Sequence, residues 1–513
     1  MNFNFIDTVI LDLIKLACKW FSLASTLAVL YGCEGSGSGG EQTVFDSSVN
    51  LTGATLWVNN VTGSDAADGI NMPYQTLQHA LNQLRPGDVL VIEDTGQPYR
   101  TNAIIAEEHD IDGNLVRTLR GYKLATSGTQ SAPIVIEGRG LGLAEINQMQ
   151  TGSTSADATV GLFLDCVSHI VIRNLEIYNA NEAGITTSTD GACDTTNIII
   201  EGNHIHHIYG EKYVGGIRIM DVSDVLIRDN YIHDIFSNAS IEDKPLIKNG
   251  QGIHNIVVES NRLESLDVGI AINAQGLGNS AFSLGVEEAA SAIQIKNNVF
   301  NSVNDALSFT THISDASTVD EQKTGSFTYV DIVGNVFEKI DSAALVSAGD
   351  SQHQSHDVCI YNNTIINASA SALDISGVSG LELFNNIFVM PQKEILLTRA
   401  SDNTSLINSI AYSDYNLFYN FLTLMWKLDV NGPNEVVYSD LTNWQLATHP
   451  QMMVSPDLSA MIDDPQFNGA DYTLYQNSLA IGAGRFALSI GVDFSLPAPV
   501  NTLGFPCADR EPK

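Results

Sequence analysis

The chain has 513 residues, with 59 acidic against 24 basic side chains and a formal charge of −35, although only 16% of residues are charged. So few Lys and Arg exclude a nucleic-acid partner, because phosphate binding needs a basic face. Length does not count domains here, since a solenoid grows by adding coils.

The first residues carry Lys15 and Lys19 and then an apolar run from Trp20 to Tyr31, too short to span a bilayer and suited to a signal peptide. Leu30-Tyr31-Gly32-Cys33 resembles the bacterial lipobox, in which the cysteine is lipidated and becomes the mature N-terminus. Residues 1–32 are therefore expected to be a lipoprotein signal peptide, with Cys33 as the lipid anchor. The stretch from Glu34 to Gly40 is Gly/Ser-rich and opens a flexible tether over residues 33–50. The expectation is an exported bacterial lipoprotein, a monomer held at the outer membrane or cell surface by its lipid alone.

Residues 51–400 are expected to form an all-β body, a right-handed parallel β-helix of three-strand coils with an N-terminal capping helix. That helix is read from Thr76 to Leu84, where apolar residues recur at helical spacing and stop at Arg85-Pro86-Gly87-Asp88. One unit then repeats: an asparagine set between short apolar-alternating stretches, at Asn174, Asn203, Asn230, Asn261, Asn298, Asn335, Asn363 and Asn386. Asparagine tolerates left-handed backbone, and its amide can bond the same group one coil away, so these residues predict a ladder. A second apolar strand follows most of them, beginning at Gly184, Gly216, Gly269, Ala306, Ala344 and Ala372. Cys166 and Cys193 stand one coil length apart, which suits either an inter-coil disulfide or two isolated thiols. Residues 401–513 are expected to hold the final coils and a C-terminal cap.

Leu56-Trp-Val-Asn-Asn, Gly63-Ser-Asp65, Asp68-Gly69, Pro73-Tyr74, Pro86-Gly87-Asp88-Val89 and Ala132-Pro133-Ile134-Val135-Ile136 resemble the opening of bacterial parallel β-helix proteins of the pectate lyase-like superfamily. Asp463-Asp464-Pro465-Gln-Phe467 and Asp471-Tyr472-Thr-Leu474 resemble the closing segment of the same group. The resemblance implies this fold and a carbohydrate-related role, with the substrate along the outer face of the second strand set. The outward row there reads Thr186, Arg218, Ala271, Ser308, Val346 and Asp374.

Leu246-Ile247-Lys248-Asn249 takes the place of Gly216-Ile217-Arg218-Ile219 once one extra turn residue is allowed, which sets Lys248 beside Arg218. Elimination on a uronic acid needs its carboxylate neutralised, the C5 proton removed and the leaving O4 protonated. Lys248 as base and Arg218 as carboxylate partner suit this, with His233 and His254 as alternative bases. Lys212, Tyr213, Lys244, Asn249, Asn273, Ser308 and His312 are read as substrate contacts. A polysaccharide lyase acting on an anionic polymer is the expectation. Two other readings stay open: hydrolysis by the carboxylates Asp267 and Asp305, which could also bind Ca2+, and a non-catalytic glycan-binding surface protein. The fuller active-site motifs of the alginate lyase and chondroitinase B family, and the Asp-rich cluster of the calcium-dependent pectate lyases, are not found.

Overall fold

A computed structural model describes residues 53–484, apart from 110–114, 141–143, 148–156, 188–194, 211–213, 220–221, 238–252, 274–289, 311–326, 349–354, 376–377, 392, 401–409, 430–435, 447–454 and 470–471. The expected signal segment, the tether and Cys33 lie outside the described residues, as do Lys212, Tyr213, Lys244, Lys248, Asn249 and His312. No helix among the described residues is long and apolar enough to cross a membrane.

The chain winds into a right-handed parallel β-helix. Its described strands stack into sheets of 13, 16 and 5. One coil shows the plan. Thr195–Glu201 enters the asparagine in the first sheet, His204–Gly210 leaves it in the second, and Gly215–Arg218 forms the third. Apolar residues at alternate positions meet their equivalents one coil on, as in Ile198 with Val225, Ile205 with Ile232 and Ile185 with Ile217. Stacked at about 4.8 Å, they fill the interior as a continuous column. Phe300 and Phe337 stack within it at 4.9 Å.

Single left-handed residues make the corners. Asn197, Asp224 and Asn255 (φ 57, 56 and 54°) turn the chain into the first sheet. Gly202, Asp229 and Ser260 (φ 64, 54 and 56°) turn it into the second, and His207, Asp234 and Ser265 (φ 55, 54 and 53°) turn it again soon after. That conformation costs an ordinary L-residue roughly 1–2 kcal/mol, which is why short polar residues and glycine predominate there. Part of the acidic excess is thus corner-forming.

The ladder runs from Asn203 through Asn416 at intervals of 23 to 37 residues. Each amide oxygen accepts from the backbone N–H and the side-chain N–H of the asparagine one coil earlier. Asn298, for example, accepts both bonds from Asn261 at 2.9 and 3.0 Å. Its own Nδ2 donates to Asn335 Oδ1 and to the Val258 carbonyl. One expected member is displaced. Asn174 (φ 57°) occupies the corner equivalent to Gly202, and the ladder position falls to Leu175, whose N–H donates to Asn203 Oδ1. At the other end Asp457 closes the ladder, accepting from Asn416 Nδ2, Ser413 Oγ and Trp444 Nε1. Trp444 belongs to a short helix, Leu441–Gln445, that packs over the last coils. The N-terminal opening is covered by Leu77–Gln83, which buries Leu77, Ala80 and Leu81.

On the outer face of the first sheet, Glu137, Arg173, Glu201, Arg228, Glu259 and Lys296 follow one another in register with alternating sign. Arg173 meets Glu137 at 2.6 Å, Arg228 meets Glu201 at 2.6 Å and Lys296 meets Glu259 at 2.8 Å. Three of the 24 basic residues stand on this line.

Further along the same face Asp331 is only 2% exposed, beside an apolar cluster of Val333, Cys359, Tyr361 and Phe384. Burial pushes its carboxyl up from the ordinary 3.8 to about 7. A raised carboxyl favours the fold when protonated and loses that advantage as pH climbs from about 4 to about 7. Asp331→Asn should therefore raise the unfolding free energy at pH 8 by up to about 2–4 kcal/mol and change it little at pH 4. Thermal melts at the two pH values check this.

Cys166 and Cys359 are each disulfide-bonded. Six coils separate them along the first sheet, so they are not bonded to each other.

Candidate functional site

Ile205, Ile232 and Leu263 face the core, so the residues on either side of each point outward from the second sheet. Register then builds two rows along the helix axis. The first reads Glu145, Glu176, His204, Tyr231, Arg262. The second reads Asn147, Tyr178, His206, His233, Glu264. Four histidine rings gather here, counting the corner residue His207.

Stacking one coil above another holds the rings flat. Tyr178 and His206 lie 5.1 Å apart at 7°, His206 and His233 5.0 Å apart at 3°, and His204 and Tyr231 5.1 Å apart at 8°. The Arg262 guanidinium sits 5.2 Å above the Tyr231 ring. Polar contacts fix the edges. His233 Nδ1 lies 2.7 Å from Asp234 Oδ2, and His233 Nε2 lies 2.8 Å from His204 Nε2. His206 Nε2 lies 2.9 Å from Glu176 Oε1, and His206 Nδ1 lies 2.5 Å from His207 Nδ1. The Tyr178 hydroxyl donates to Glu145 at 2.7 Å. The Tyr231 hydroxyl donates to Glu264 at 3.0 Å, and the same carboxylate receives Arg262 at 2.9 Å.

Burial and the neighbouring imidazoles hold His204 down to about 4, against the pull of Glu176, and burial likewise lowers His206. Burial and the bonded Glu264 raise the Tyr231 hydroxyl, and burial with Glu145 lifts that of Tyr178 to about 12. The face therefore offers uncharged imidazoles beside protonated phenols. Arg262, 61% exposed, supplies an accessible cation.

The residues expected to act together are spread over different faces. His233 stands in the second row just described. His254 is exposed on the first sheet between Ser223 and Ser291, and Arg218 pairs with Thr186 in the third. Arg218 is 4% exposed and ion-paired with Glu182, so its guanidinium is neutralised from within the protein. Ala271, Ser308, Val346 and Asp374 are in register with one another, but their strands belong to the second sheet and not to the third, which holds Thr186 and Arg218. Ser308 is half-buried there, and Asn273 pairs with Thr310.

Asp267 and Asp305 do not stack. Leu266 pairs with Val303 and Val268 with Asp305, which sets Asp267 against Asn304. Asp305 shares the parity of the interior residues Val303 and Leu307, and burial raises its carboxyl although Ser342 and the Ala343 N–H bond to it. The two carboxylates fit neither a hydrolytic pair nor the cage of about 6–8 oxygens that calcium takes.

Glu176, His204, His206, Tyr231 and Arg262 were not among the expected site residues. Their signal lay in plain view, at the first and third positions after each ladder residue: Asn203-His-Ile-His206, Asn230-Tyr-Ile-His233, Asn261-Arg-Leu-Glu264.

No protein-family model matches the sequence, and no curated protein matches it. Solved structures do. A GH136 lacto-N-biosidase from Eubacterium ramulus has a TM-score of 0.42 at 13% identity, covering 71% of this chain and 68% of that one. A PL6 family polysaccharide lyase from Pseudopedobacter saltans has a TM-score of 0.42 at 10% identity, covering 76% and 91%. A family 28 exopolygalacturonase from Yersinia enterocolitica has 0.41 at 12%, covering 75% and 77%. At such identities the likeness is one of fold.

Proposed function

We propose that the protein is a polysaccharide-degrading enzyme that cleaves a uronic-acid-containing polymer by β-elimination on the outer face of the second sheet. The observation that carries this reading is the order His204, Tyr231, Arg262 on three successive coils of one row. At about 4.8 Å per coil, one sugar residue laid along the row reaches all three kinds of group.

Their roles follow from the hydrogen bonds. The Asp234 carboxylate can only accept, so His233 carries its proton on Nδ1 and offers a lone pair at Nε2. His204 must then donate from Nε2, which leaves the His204 Nδ1 lone pair as the base. His204 Nδ1 takes the C5 proton, and Arg262 binds the carboxylate and the enolate-like charge that develops on it. The electron pair forms the C4–C5 double bond as the C4–O4 bond breaks, and Tyr231 gives its hydroxyl proton to O4. Asp234 and His233 act through His204 and are positioning residues.

Arg218 and Arg262 each meet a carboxylate, but Arg218 is buried with Glu182 whereas Arg262 is 61% exposed, so Lys248 and Arg218 form a weaker pair for the same chemistry. Two disulfide-bonded cysteines and the lipobox around Cys33 support an exported, lipid-anchored protein that meets its polymer outside the cytoplasm.

The test is to incubate the purified protein with alginate, pectate, glycosaminoglycans and sulfated galactans. Unsaturated, ultraviolet-absorbing products from a polyuronate are expected. New reducing ends without them would mean hydrolysis, and binding without any product would mean a glycan-binding scaffold.

A further inference from the structure

We infer that Glu176, His204 and His206 form a binding site for a divalent cation of the zinc class, and that the cation switches the proposed elimination off by occupying the His204 lone pair. The second half rests on the function proposed above; the first does not.

Glu176 Oε1 lies 2.9 Å from His206 Nε2 and 3.7 Å from His204 Nδ1. One ligand atom from each of the three residues falls within 4.8 Å of the others. Zinc bonds to nitrogen and oxygen at about 2.0–2.2 Å, so its ligand atoms stand about 3.2–3.5 Å apart, within a small side-chain adjustment of these separations. Two imidazoles and one carboxylate suit a borderline cation rather than calcium, which takes oxygen alone.

The surroundings add an independent argument. A metal-bound histidine usually has its other ring nitrogen donating to an acceptor. His204 already donates from Nε2 to His233, which is anchored on Asp234. His206 Nδ1 faces His207 Nδ1 at 2.5 Å, an acceptor for its proton when Nε2 holds the ion. Without a cation, the His204 Nδ1 lone pair is turned toward a carboxylate oxygen, two acceptors with no proton between them. Arg262, the nearby cation, is held by Glu264. A divalent ion resolves that juxtaposition, and its remaining positions are open to water or a sugar oxygen. No bond in the substrate is made or broken by this step, since the ion competes with the C5 proton for one electron pair.

The experiment is calorimetric titration of zinc chloride into the full chain, purified without a polyhistidine tag and stripped with a chelator. One equivalent should bind. Affinity should fall at least tenfold in Glu176→Gln and in His206→Gln, and stay as in wild type in His254→Ala, on the first sheet. Calcium chloride should give no comparable signal. Melting curves of the variants exclude unfolding as the cause of a loss. Absence of stoichiometric binding, or binding indifferent to Glu176→Gln and His206→Gln, overturns the site. Rates on the polyuronate are then followed against zinc. Inhibition with the calorimetric midpoint, shifted in Glu176→Gln by the factor its affinity falls, supports the switch. Zinc bound with the rate unchanged overturns the switch and the assignment of His204 as base while leaving the metal site standing. If the protein performs no elimination at all, the calorimetric arm still decides the site by itself.

Discussion

Replacing Asn298 by alanine should lower the unfolding free energy by about 3–5 kcal/mol. Asn298 is fully buried and takes part in five ladder bonds. The substitution strips the partner from the Asn261 backbone N–H and from one Asn261 amide hydrogen, and frees the Val258 carbonyl, all inside a corner that water does not reach. Each buried donor left without a bond costs about 1–3 kcal/mol. The neighbouring Asn297 provides the control. It supplies only the left-handed corner (φ 58°), so Asn297→Gly should be nearly neutral and Asn297→Ala should cost roughly 1–2 kcal/mol. Denaturant midpoints for the three variants separate the two jobs that adjacent asparagines perform.

The second large effect is on rate. His204→Gln should reduce kcat/KM on the susceptible polyuronate by about 10²–10⁴-fold, the usual worth of a positioned general base. Tyr231→Phe keeps the ring stack on His204 and removes only the hydroxyl, and should fall within the same range. Arg262→Ala removes the accessible cation and should raise KM as well as lower kcat. Asp234→Asn replaces an obligate acceptor with a group that can also donate, so the relay through His233 can reverse its tautomer. It should lower kcat with little change in KM, a split that mere loosening of the strand would not give.

The fold was legible because each coil repeats the same instructions. Gly202-Asn203, Asp229-Asn230, Ser260-Asn261 and Asn297-Asn298 each pair a left-handed corner residue with a ladder asparagine, and the apolar residues alternate around them. Where that doublet is missing, the register slips by one. Asn174 is followed by leucine, and a lone asparagine serves either position equally well by its local chemistry.

The site was less legible, for a related reason. Periodicity tells which side chains point outward but not which outer row binds, and the resemblance to the pectate lyase-like group drew attention to the row that was read through Arg218. There the expected Arg218 meets Glu182, a partner on the preceding coil that strand spacing alone does not reveal. The Asp267–Asp305 pairing failed on corner placement. Ser265 and Ser302 are equivalent left-handed residues, and Asp267 lies two beyond the first while Asp305 lies three beyond the second. A difference of one residue in a strand sends a side chain to the opposite face. The relay Asp234–His233–His204 crosses two coils and depends on ring orientation, which no sequence pattern carries.

The central claim is that the reaction belongs to the row after the ladder, and the most direct measurement compares ultraviolet-absorbing product formed from a polyuronate by the wild-type protein, His204→Gln and Lys248→Ala. The account predicts that wild type and Lys248→Ala release unsaturated product at similar rates while His204→Gln releases at most about a hundredth as much. Product that persisted in His204→Gln and vanished in Lys248→Ala would contradict it and return the chemistry to the third face.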